Sequence, residues 1–343
     1  MAAINALSGP ERCMPLRLRC RQTPRSPTGT TGTATKHLAG AEAAPDRVGD
    51  LFIRGDAERA LDVVDEAASN ATDTGTTADA QSTDITPVAL DTPRLASADN
   101  FRDLAGIEST YVAGDSTMRS ETIYRSNALD LSDEDLATLE DLGVSTVIDL
   151  RTAQQVEETP DRVPEGAEYV HIDLIGDQAN GANTMSDISF DTPESAAAIL
   201  EQTNVGFVED AGQRERFGEV LTTIAEADGS ILFHCTAGKD RAGWTSAILQ
   251  LAAGVSEQDV MANYLATNDY SEERIAATAD KVREAKGDEA ADAIKVLLGV
   301  QESFLQAGLD AMAEKYGDID GYLSEGLGLD EDTVAALKDR LVA

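Results

Sequence analysis

The chain has 343 residues, of which 63 are Asp or Glu and 27 are Lys or Arg, so its formal net charge at pH 7 is −36. A surface this acidic repels polyanions, which argues against a nucleic-acid partner. No apolar run approaches the roughly 20 residues that a membrane-spanning helix needs, so we expect no stable membrane insertion.

The first 92 residues differ in composition from the remainder. They are rich in Thr, Ala, Ser, Pro and Gly, and they contain few aromatic residues and no sustained apolar periodicity. This composition is typical of a disordered, low-complexity segment, with a weak helical pattern only at 56–68. We therefore expect a disordered N-terminal region at 1–92 and one folded domain at 93–343.

Helix and strand patterns alternate from residue 132 onward. Ser132 begins a capping pattern that predicts a helix ending at Leu142, and Gly143 follows as its stop. Apolar runs predict three strands, at 145–150, 168–172 and 231–233. Phe217 and Ile224 belong to a helical repeat that precedes the last of these strands.

The C-terminal third has helical patterns throughout. A helix is predicted from about 242 to 253, Ser256 opens another that reaches Leu265, and Asp330 opens a final one. Strands alternating with helices, followed by a helical run, predict an α/β fold in which helices flank a mostly parallel central sheet.

Residues 176–206 do not fit the alternation. They are polar and interrupted by glycine, with a short helical piece at 194–202. A long connection of this kind is either a lid over a functional site or a plain surface insertion. Both interpretations stay open at this point.

The most informative feature is a strand that runs into His234 and Cys235, with Arg241 six positions later and a helix after it. Such a loop places backbone N–H groups at a helix N-terminus, where a phosphate dianion is favoured. The same donors favour a thiolate, so Cys235 becomes a nucleophile rather than a merely buried small residue. Arg241 has the planar fork that holds two phosphate oxygens, and Gly238 lets the backbone turn freely. The phosphate-binding residues predicted from this pattern are Thr236, Ala237, Gly238, Lys239, Asp240 and Arg241.

Residues 234 to 243 resemble the active-site loop of the tyrosine phosphatase superfamily. Their Ala-Gly-Lys-Asp-Arg core is similar to a bacterial branch that includes a secreted mycobacterial enzyme acting on phosphoproteins and phosphoinositides. Further matching stretches lie at 100–104, 123–126, 147–151, 264–268, 316–318 and 322–323. The resemblance covers about 95–343 and implies a tyrosine-phosphatase-like catalytic domain with a helical C-terminal part.

The resemblance also implies roles for the loop residues. Cys235 is the expected nucleophile, forming a phosphocysteine, and Arg241 is the expected phosphate clamp. Asp240 is the expected general acid toward the leaving oxygen. Lys239 enlarges the positive field and could contact a second phosphate.

A different aspartate could supply the proton. Asp173 follows the predicted strand at 168–172, where other members of the superfamily carry their acid, and Asp177 lies close behind. The alternative for Asp173 is an ordinary strand-end or turn residue. The sequence leaves the choice among these aspartates open.

Supporting roles are expected for two more residues. His234 should hydrogen-bond to backbone and fix the loop, and Asp149 should share a sheet edge with Cys235, since both follow parallel strands. Three His and three Cys stand at no ligand spacing, so neither a metal nor a cofactor is expected. Further charges beside apolar runs are expected to be buried ion-pair partners or loop anchors, with substrate contact as the alternative, namely Arg102, Asp103, Arg125 and Arg151.

One residue departs from the superfamily pattern. Ala242 stands where most members carry Ser or Thr, whose hydroxyl helps the cysteine leave when water attacks the phosphoenzyme. Thr236 and Thr245 are the nearby hydroxyls that could compensate. We expect slow release of the phosphoenzyme, seen as a burst followed by slower turnover.

The sequence therefore predicts a phosphomonoester hydrolase, a protein-tyrosine phosphatase for which dual-specificity or phosphoinositide activity stays open. Its substrate would be a phosphorylated protein or a phosphoinositide; the oligomeric state is not predicted. A sulfurtransferase would space its cysteine and arginine differently, and a catalytically impaired phospho-ligand binding module is the remaining alternative. An unpaired Cys235 and no signal peptide favour the cytoplasm, with secretion without a visible signal left open by family precedent.

Overall fold

The structure is a computed structural model that describes residues 85–176 and 192–343. The weak helical pattern at 56–68, Asp177 and most of the predicted lid-or-insertion segment before residue 192 lie outside the described residues. None of the described helices is both long enough and apolar enough to cross a membrane.

The strands are short. They are β1 (Arg102–Asp103), β2 (Val112–Ala113), β3 (Ser116–Thr117), β4 (Ile123–Ser126), β5 (Val144–Asp149), β6 (Glu168–His171) and β7 (Ser230–His234). The helices before β7 are α1 (Asp133–Asp141), α2 (Ala153–Glu158), α3 (Pro193–Glu209) and α4 (Ala211–Glu226). Those after it are α5 (Arg241–Ala252), α6 (Glu257–Leu265), α7 (Thr267–Tyr270), α8 (Glu272–Lys286), α9 (Asp288–Leu298), α10 (Glu302–Tyr316), α11 (Ile319–Gly321), a π-helical turn (Tyr322–Gly326) and α12 (Glu331–Leu341).

Five strands form the central sheet in the order β1-β4-β7-β5-β6. The β4–β7, β7–β5 and β5–β6 pairs are parallel, and only the edge pair β1–β4 is antiparallel. β2 and β3 form a separate antiparallel pair. The predicted α/β class with a mostly parallel sheet flanked by helices is confirmed.

Alternation along the strands divides the core into two parts. Val147 and Leu232 lie on one face, in a small cluster that also contains Leu139 of α1. Ile148 and Phe233, their neighbours in sequence, lie on the other face, within the large core formed with the later helices. Because successive strand side chains point to opposite faces, fully apolar strands are buried on both sides, as parallel sheets require.

Local capping chemistry determines where the predicted helices begin. The Ser132 hydroxyl accepts from the N–H of Asp135 at 3.1 Å, and Ser256 and Asp330 cap α6 and α12 in the same way. Gly143 ends the α1 turn with a φ of +68°, a conformation that glycine adopts without steric cost. These three helix starts agree with the predictions from sequence.

Helix α3 extends beyond the helical piece predicted at 194–202, reaching Glu209. Leu200 and Phe207 lie on its buried side, where α3 packs against α9 and α10. The polar Asn204 and the flexible Gly206 weaken the apolar repeat in this stretch. Tertiary packing therefore maintains the helix where local propensity is poor.

A close approach between α10 and its neighbours gives a stability prediction. A Cβ at Gly308 of α10 would lie 2.6 Å from Trp244 Cζ3 and 3.2 Å from Asn204 Cβ. Gly308→Ala should therefore lower the free energy of unfolding by about 1 to 3 kcal/mol through overpacking. Urea denaturation followed by circular dichroism measures the change.

Gly206 of α3 is the matched control, because a Cβ there would contact none of the described residues within 4 Å. Gly206→Ala should stabilise the protein by roughly 0.5 to 1 kcal/mol, the usual gain for alanine over glycine inside a helix. Equal effects at the two positions would contradict the close-packing argument.

Candidate active site

Residues 234–241 form the connection from β7 to α5 at the carboxyl edge of the sheet. β7 ends at His234, and α5 begins at Arg241 with Asp240 in the N-cap position. Cys235 is a free cysteine whose exposed fraction is 2%. The strand, the loop and the helix therefore lie in the order that the motif predicts.

The loop is held through its carbonyl groups. The Thr236 carbonyl accepts from the N–H of Ala128 at 3.1 Å. The Asn100 amide donates at 3.1 Å to the carbonyls of both Ala237 and Gly238. The Gly238 carbonyl also accepts from Arg125 Nη2 at 2.6 Å. Three successive carbonyls are thereby directed into the surrounding protein.

The N–H groups of the loop have no such partners. Within 85–176 and 192–343, the N–H groups of residues 236–241 donate to no protein acceptor. In a trans peptide the C=O and the following N–H point in opposite directions. Anchoring the carbonyls outward therefore turns the N–H groups toward the other side, where they can bind an anion at the N-terminus of α5.

Gly238 makes this geometry available. Its φ is +71°, in the left-handed region. An added Cβ would lie 2.7 Å from the Ser126 carbonyl oxygen and 2.8 Å from Asn100 Nδ2. Glycine is required here both for its conformation and for the close approach of the loop to β4 and its connection.

The Arg241 side chain folds back toward the loop. Its Nη1 donates to the Leu150 carbonyl at 3.1 Å and to Gln155 Oε1 at 3.0 Å, and its Nη2 donates to Thr236 Oγ1 at 3.2 Å. These acceptors are all neutral, and no carboxylate of the described residues forms an ion pair with this guanidinium. Its charge is therefore free to bind an anion beside Cys235.

Lys239 and Asp240 interact with each other. Lys239 Nζ lies 2.9 Å from Asp240 Oδ1, and the exposed fractions of the two side chains are 6% and 24%. Asp240 does not cap α5 with its side chain. Its carboxylate is partly exposed beside the loop, and no backbone donor of the described residues bonds to it.

Asp173 has a different environment. It follows β6, as the strand pattern predicts, and its Oδ1 accepts from the N–H groups of Ile175 and Gly176 at 3.1 and 2.8 Å. These are the contacts of a turn residue, the alternative that the sequence left open. Asp177, the third aspartate considered, lies outside the described residues.

His234 and Asp149 are register partners on β7 and β5, and both side chains are fully buried. His234 Nδ1 lies 3.4 Å from the Cys235 carbonyl oxygen, and its Nε2 lies 3.2 Å from Asp161 Oδ2. The Arg151 guanidinium lies between the two carboxylates, and its Nη2 is 2.7 Å from Asp149 Oδ2 and 2.6 Å from Asp161 Oδ2. The cluster therefore braces the strand end that carries Cys235.

The same cluster explains the electrostatics of Asp149. Burial acts to raise the pKa of Asp149, but hydrogen bonds from Arg151 and the electrostatic effect of the nearby His234 outweigh it, so the pKa lies well below its usual value. Ligand atoms of Asp149, Asp161 and His234 lie within 4.8 Å of one another, a spacing that a metal ion could use. The Arg151 guanidinium, however, already bonds to both carboxylates, so the donor set fits an ion-pair network rather than a metal.

Ala242 is fully buried in the first turn of α5. The hydroxyls of Thr245 and Ser246 donate within the helix, to the carbonyls of Arg241 and Ala242 at 2.9 and 2.7 Å. The Thr245 hydroxyl proton is therefore already used within the helix. Of the two hydroxyls that could compensate for Ala242, Thr236 is the one in the loop.

Several residues around the site had no predicted role. Asn100 lay in a stretch that resembled the family, yet nothing in the sequence linked it to a loop 137 positions away. Gln155 completes a capping box with Thr152, a local signal that could have placed it at the start of α2 but not against Arg241. Asp161 and Asn263 carried no sequence signal.

Three comparisons place the chain among known proteins. A model of the tyrosine phosphatase family matches residues 93–343. A protein of Cupriavidus necator named as a tyrosine-protein phosphatase is 32% identical over 253 residues, covering 71% of this chain and 86% of the relative. The triple specificity protein phosphatase PtpB of Mycobacterium tuberculosis is 29% identical over 280 residues, covering 72% of this chain and 98% of the relative.

Among solved structures, TpbA of P. aeruginosa is 19% identical, covering 52% of this chain and 87% of its own, with a TM-score of 0.23. This score is too low for the likeness to support an argument about the fold.

The loop geometry predicts that Gly238→Ala weakens anion binding. The added methyl group would displace the loop from Ser126 and Asn100, moving N–H groups away from their common target. Losing one charge-assisted hydrogen bond of about 1.5 to 3 kcal/mol would weaken orthophosphate binding roughly tenfold to a hundredfold. Isothermal titration calorimetry measures the dissociation constant.

Gly328→Ala separates the steric clash from backbone strain. Gly328 has a φ of +73°, but within the described part of the chain a Cβ there would contact nothing within 4 Å. This variant should lose about 1 kcal/mol of stability and bind orthophosphate as the parent does. Equal binding by Gly238→Ala and the parent would show that the loop does not depend on this glycine.

Proposed function

Because the chain belongs to the tyrosine phosphatase family, we propose that Cys235, Arg241 and Asp240 carry out its phosphomonoester hydrolysis as nucleophile, phosphate clamp and general acid. The family and the enzyme class predicted from sequence are confirmed by the matching family model and relatives. The residue roles are proposals, and one observation carries them: Cys235 begins a loop of unpaired N–H groups, closed by a guanidinium that pairs with no described carboxylate.

In the first step, the Cys235 thiolate attacks phosphorus and the ester P–O bond breaks. Developing charge on the phosphoryl oxygens is stabilised by the loop N–H groups and by Arg241. The leaving oxygen takes a proton from Asp240, whose side chain is partly exposed to solvent. The product of this step is a phosphocysteine and a free alcohol.

In the second step, water attacks phosphorus while Asp240 accepts its proton, and the P–S bond breaks to release inorganic phosphate and the thiolate. A hydroxyl at position 242 would stabilise the departing sulfur, but this chain has Ala242. Thr245 is bound within α5, so Thr236 is the hydroxyl we assign to partial compensation. This step should limit turnover.

The preferred substrate that we propose is a protein phosphorylated on tyrosine. Phosphoinositides are the second substrate class that we propose. The name of the mycobacterial relative, a triple specificity phosphatase, supports activity on more than one kind of phosphoester. The contact between Lys239 and a second phosphate, expected from the sequence, is less favoured by the structure. The Lys239 ammonium bonds to Asp240, and its side chain is nearly buried. Binding a second phosphate would first require that pair to open.

Leaving-group dependence tests the role of Asp240. Asp240→Asn should lower kcat/KM for phenyl phosphate by roughly 10²- to 10⁴-fold, because phenol leaves poorly without a proton. For p-nitrophenyl phosphate, whose leaving group needs no proton, the loss should be much smaller. Steady-state assays of both substrates measure the difference.

Asp173→Asn is the matched control, since its carboxylate accepts backbone N–H groups in a turn. Asp173→Asn should leave kcat/KM unchanged for both phenyl phosphate and p-nitrophenyl phosphate. A leaving-group effect in Asp173→Asn but not in Asp240→Asn would show that Asp173 is the general acid.

The nucleophile is tested separately. Cys235→Ser should abolish hydrolysis while retaining orthophosphate binding. Hydrolysis that persists in Cys235→Ser would overturn the proposed function itself, and a parent enzyme without hydrolysis would favour a binding module.

Position 242 gives a kinetic prediction. The parent should show a rapid-quench burst of alcohol close to one equivalent per site, followed by slower turnover. Ala242→Ser adds one hydroxyl beside the loop and should raise the steady rate and reduce the burst amplitude, because the cysteine leaves more readily. Rapid quench with p-nitrophenyl phosphate measures both quantities.

Thr245→Val is the control for this experiment. Its hydroxyl donates to the Arg241 carbonyl, so its removal should not change the second step. A parent enzyme without a burst would show that release of the cysteine is not slow.

A further inference from the structure

Two arginines face each other across the antiparallel edge of the sheet. Arg102 of β1 and Arg125 of β4 are register partners, and their exposed fractions are 1% and 0%. Like charges placed directly opposite in a sheet destabilise it, and a buried cation without a counter-ion is costly. We therefore looked among the surrounding groups for an anion that could balance these two buried arginines.

The contacts of Arg125 are neutral. Its Nη2 donates to the Gly238 carbonyl at 2.6 Å, and its Nη1 donates to Asn263 Oδ1 at 3.2 Å. Its Nε has no hydrogen-bond partner among the residues that the structure describes. Tyr111 and Tyr264, the titratable groups of the neighbouring segments, are held neutral at pH 7 because burial raises the pKa of each.

The contacts of Arg102 are neutral as well. It donates to the carbonyl and the side-chain oxygen of Asn100, to the Asn263 carbonyl at 3.0 Å and to Thr267 Oγ1 at 3.1 Å. The adjacent Asp103 accepts instead from the N–H groups of Ala105 and Glu121. In the described ranges, neither arginine forms an ion pair with a carboxylate.

The remaining charged side chains near the loop either form ion pairs or face the proposed anion site. Lys239 pairs with Asp240, and the carboxylates of Asp149 and Asp161 bond to Arg151, with His234 beside them. Arg241 is the cation that faces an incoming phosphate. Arg125 is fully buried, so it cannot contact the substrate, and its positive charge lies beneath the loop.

As a thiolate, Cys235 would carry a charge that balances it. β4 and β7 are adjacent parallel strands, with Arg125 in register with Phe233, two residues before Cys235. Burial lowers the pKa of Arg125 to about 10, and the charge of Cys235 acts in the opposite direction. Arg125 therefore stays cationic at neutral pH, within electrostatic reach of the sulfur.

We propose that Arg125 is a buried counter-charge that favours the thiolate of Cys235 before substrate binds. It is a positioning residue: it acts through the nucleophile and touches neither substrate nor phosphorus. The two cations have separate tasks, since Arg241 binds the phosphate and Arg125 balances the sulfur. The proposal rests on the proposed role of Cys235 as nucleophile.

Asn263→Asp tests the charge without removing the contact. Asp is nearly isosteric with Asn, so its oxygen can still accept from Arg125 Nη1, and it can accept from the Tyr111 hydroxyl where Asn263 now donates, at 3.4 Å. The new carboxylate neutralises Arg125. The pH midpoint of Cys235 alkylation by iodoacetamide should rise by about one pH unit or more, a typical effect of a nearby opposite charge.

The reaction is followed on the Cys235 peptide by mass spectrometry, because the chain also contains Cys13 and Cys20. At a pH below both midpoints, a midpoint that is higher by about one pH unit should slow alkylation about tenfold, because the thiolate fraction falls by that factor. If Arg125 only anchors the loop, Asn263→Asp strengthens that anchor and leaves the midpoint unchanged, which would overturn the proposal.

A second pair of variants covers a failure of Asn263→Asp to fold. Arg125→Lys keeps the charge and should hold the midpoint near that of the parent, whereas Arg125→Gln should raise it. Equal midpoints in these two variants would also overturn the proposal. Alkylation is measured without turnover, so this result is distinct from hydrolysis in Cys235→Ser, which would overturn the proposed function instead.

Discussion

The active-site geometry depends on the hydrogen bonds to the Gly238 carbonyl. Asn100 and Arg125 both donate to this oxygen, and Gly238 adopts a φ of +71° that presents it to them. Since peptide C=O and N–H groups point in opposite directions, these bonds direct the next N–H away from the protein core. The proposed anion site is therefore built from outside the loop, by side chains on β4 and on the segment before β1.

This anchoring also determines how charge is distributed. Carboxylates near the site are held by other groups: Asp149 and Asp161 by Arg151, and Asp240 by Lys239. Arg125 and Arg241 are left with neutral partners. A buried cation held only by neutral dipoles raises the energy of the folded state, and binding an anion lowers it again. The site is thus organised for an anion in advance of any ligand.

The sequence predicted those features whose signals are local. Ser132, Ser256 and Asp330 cap helices through their own neighbours, and the apolar runs around 147 and 232 alternate faces within a few residues. It could not place Asn100 against Ala237, 137 positions away, because no local pattern encodes that contact. The length of α3 also escaped prediction, since packing against α9 and α10 maintains the helix through Asn204 and Gly206.

A protein with a net charge of −36 that binds an anionic substrate combines two electrostatic effects of different range. Long-range repulsion from the acidic surface is screened beyond about 10 Å at 0.1 M salt. The proposed contacts of Arg241 and the loop N–H groups with phosphate act at hydrogen-bond distance in a nearly buried site, where salt screens little. Arg125 is fully buried, so its effect on Cys235 should persist at salt concentrations that remove the surface repulsion. Ionic strength should therefore change how fast substrate arrives far more than how readily the thiolate forms.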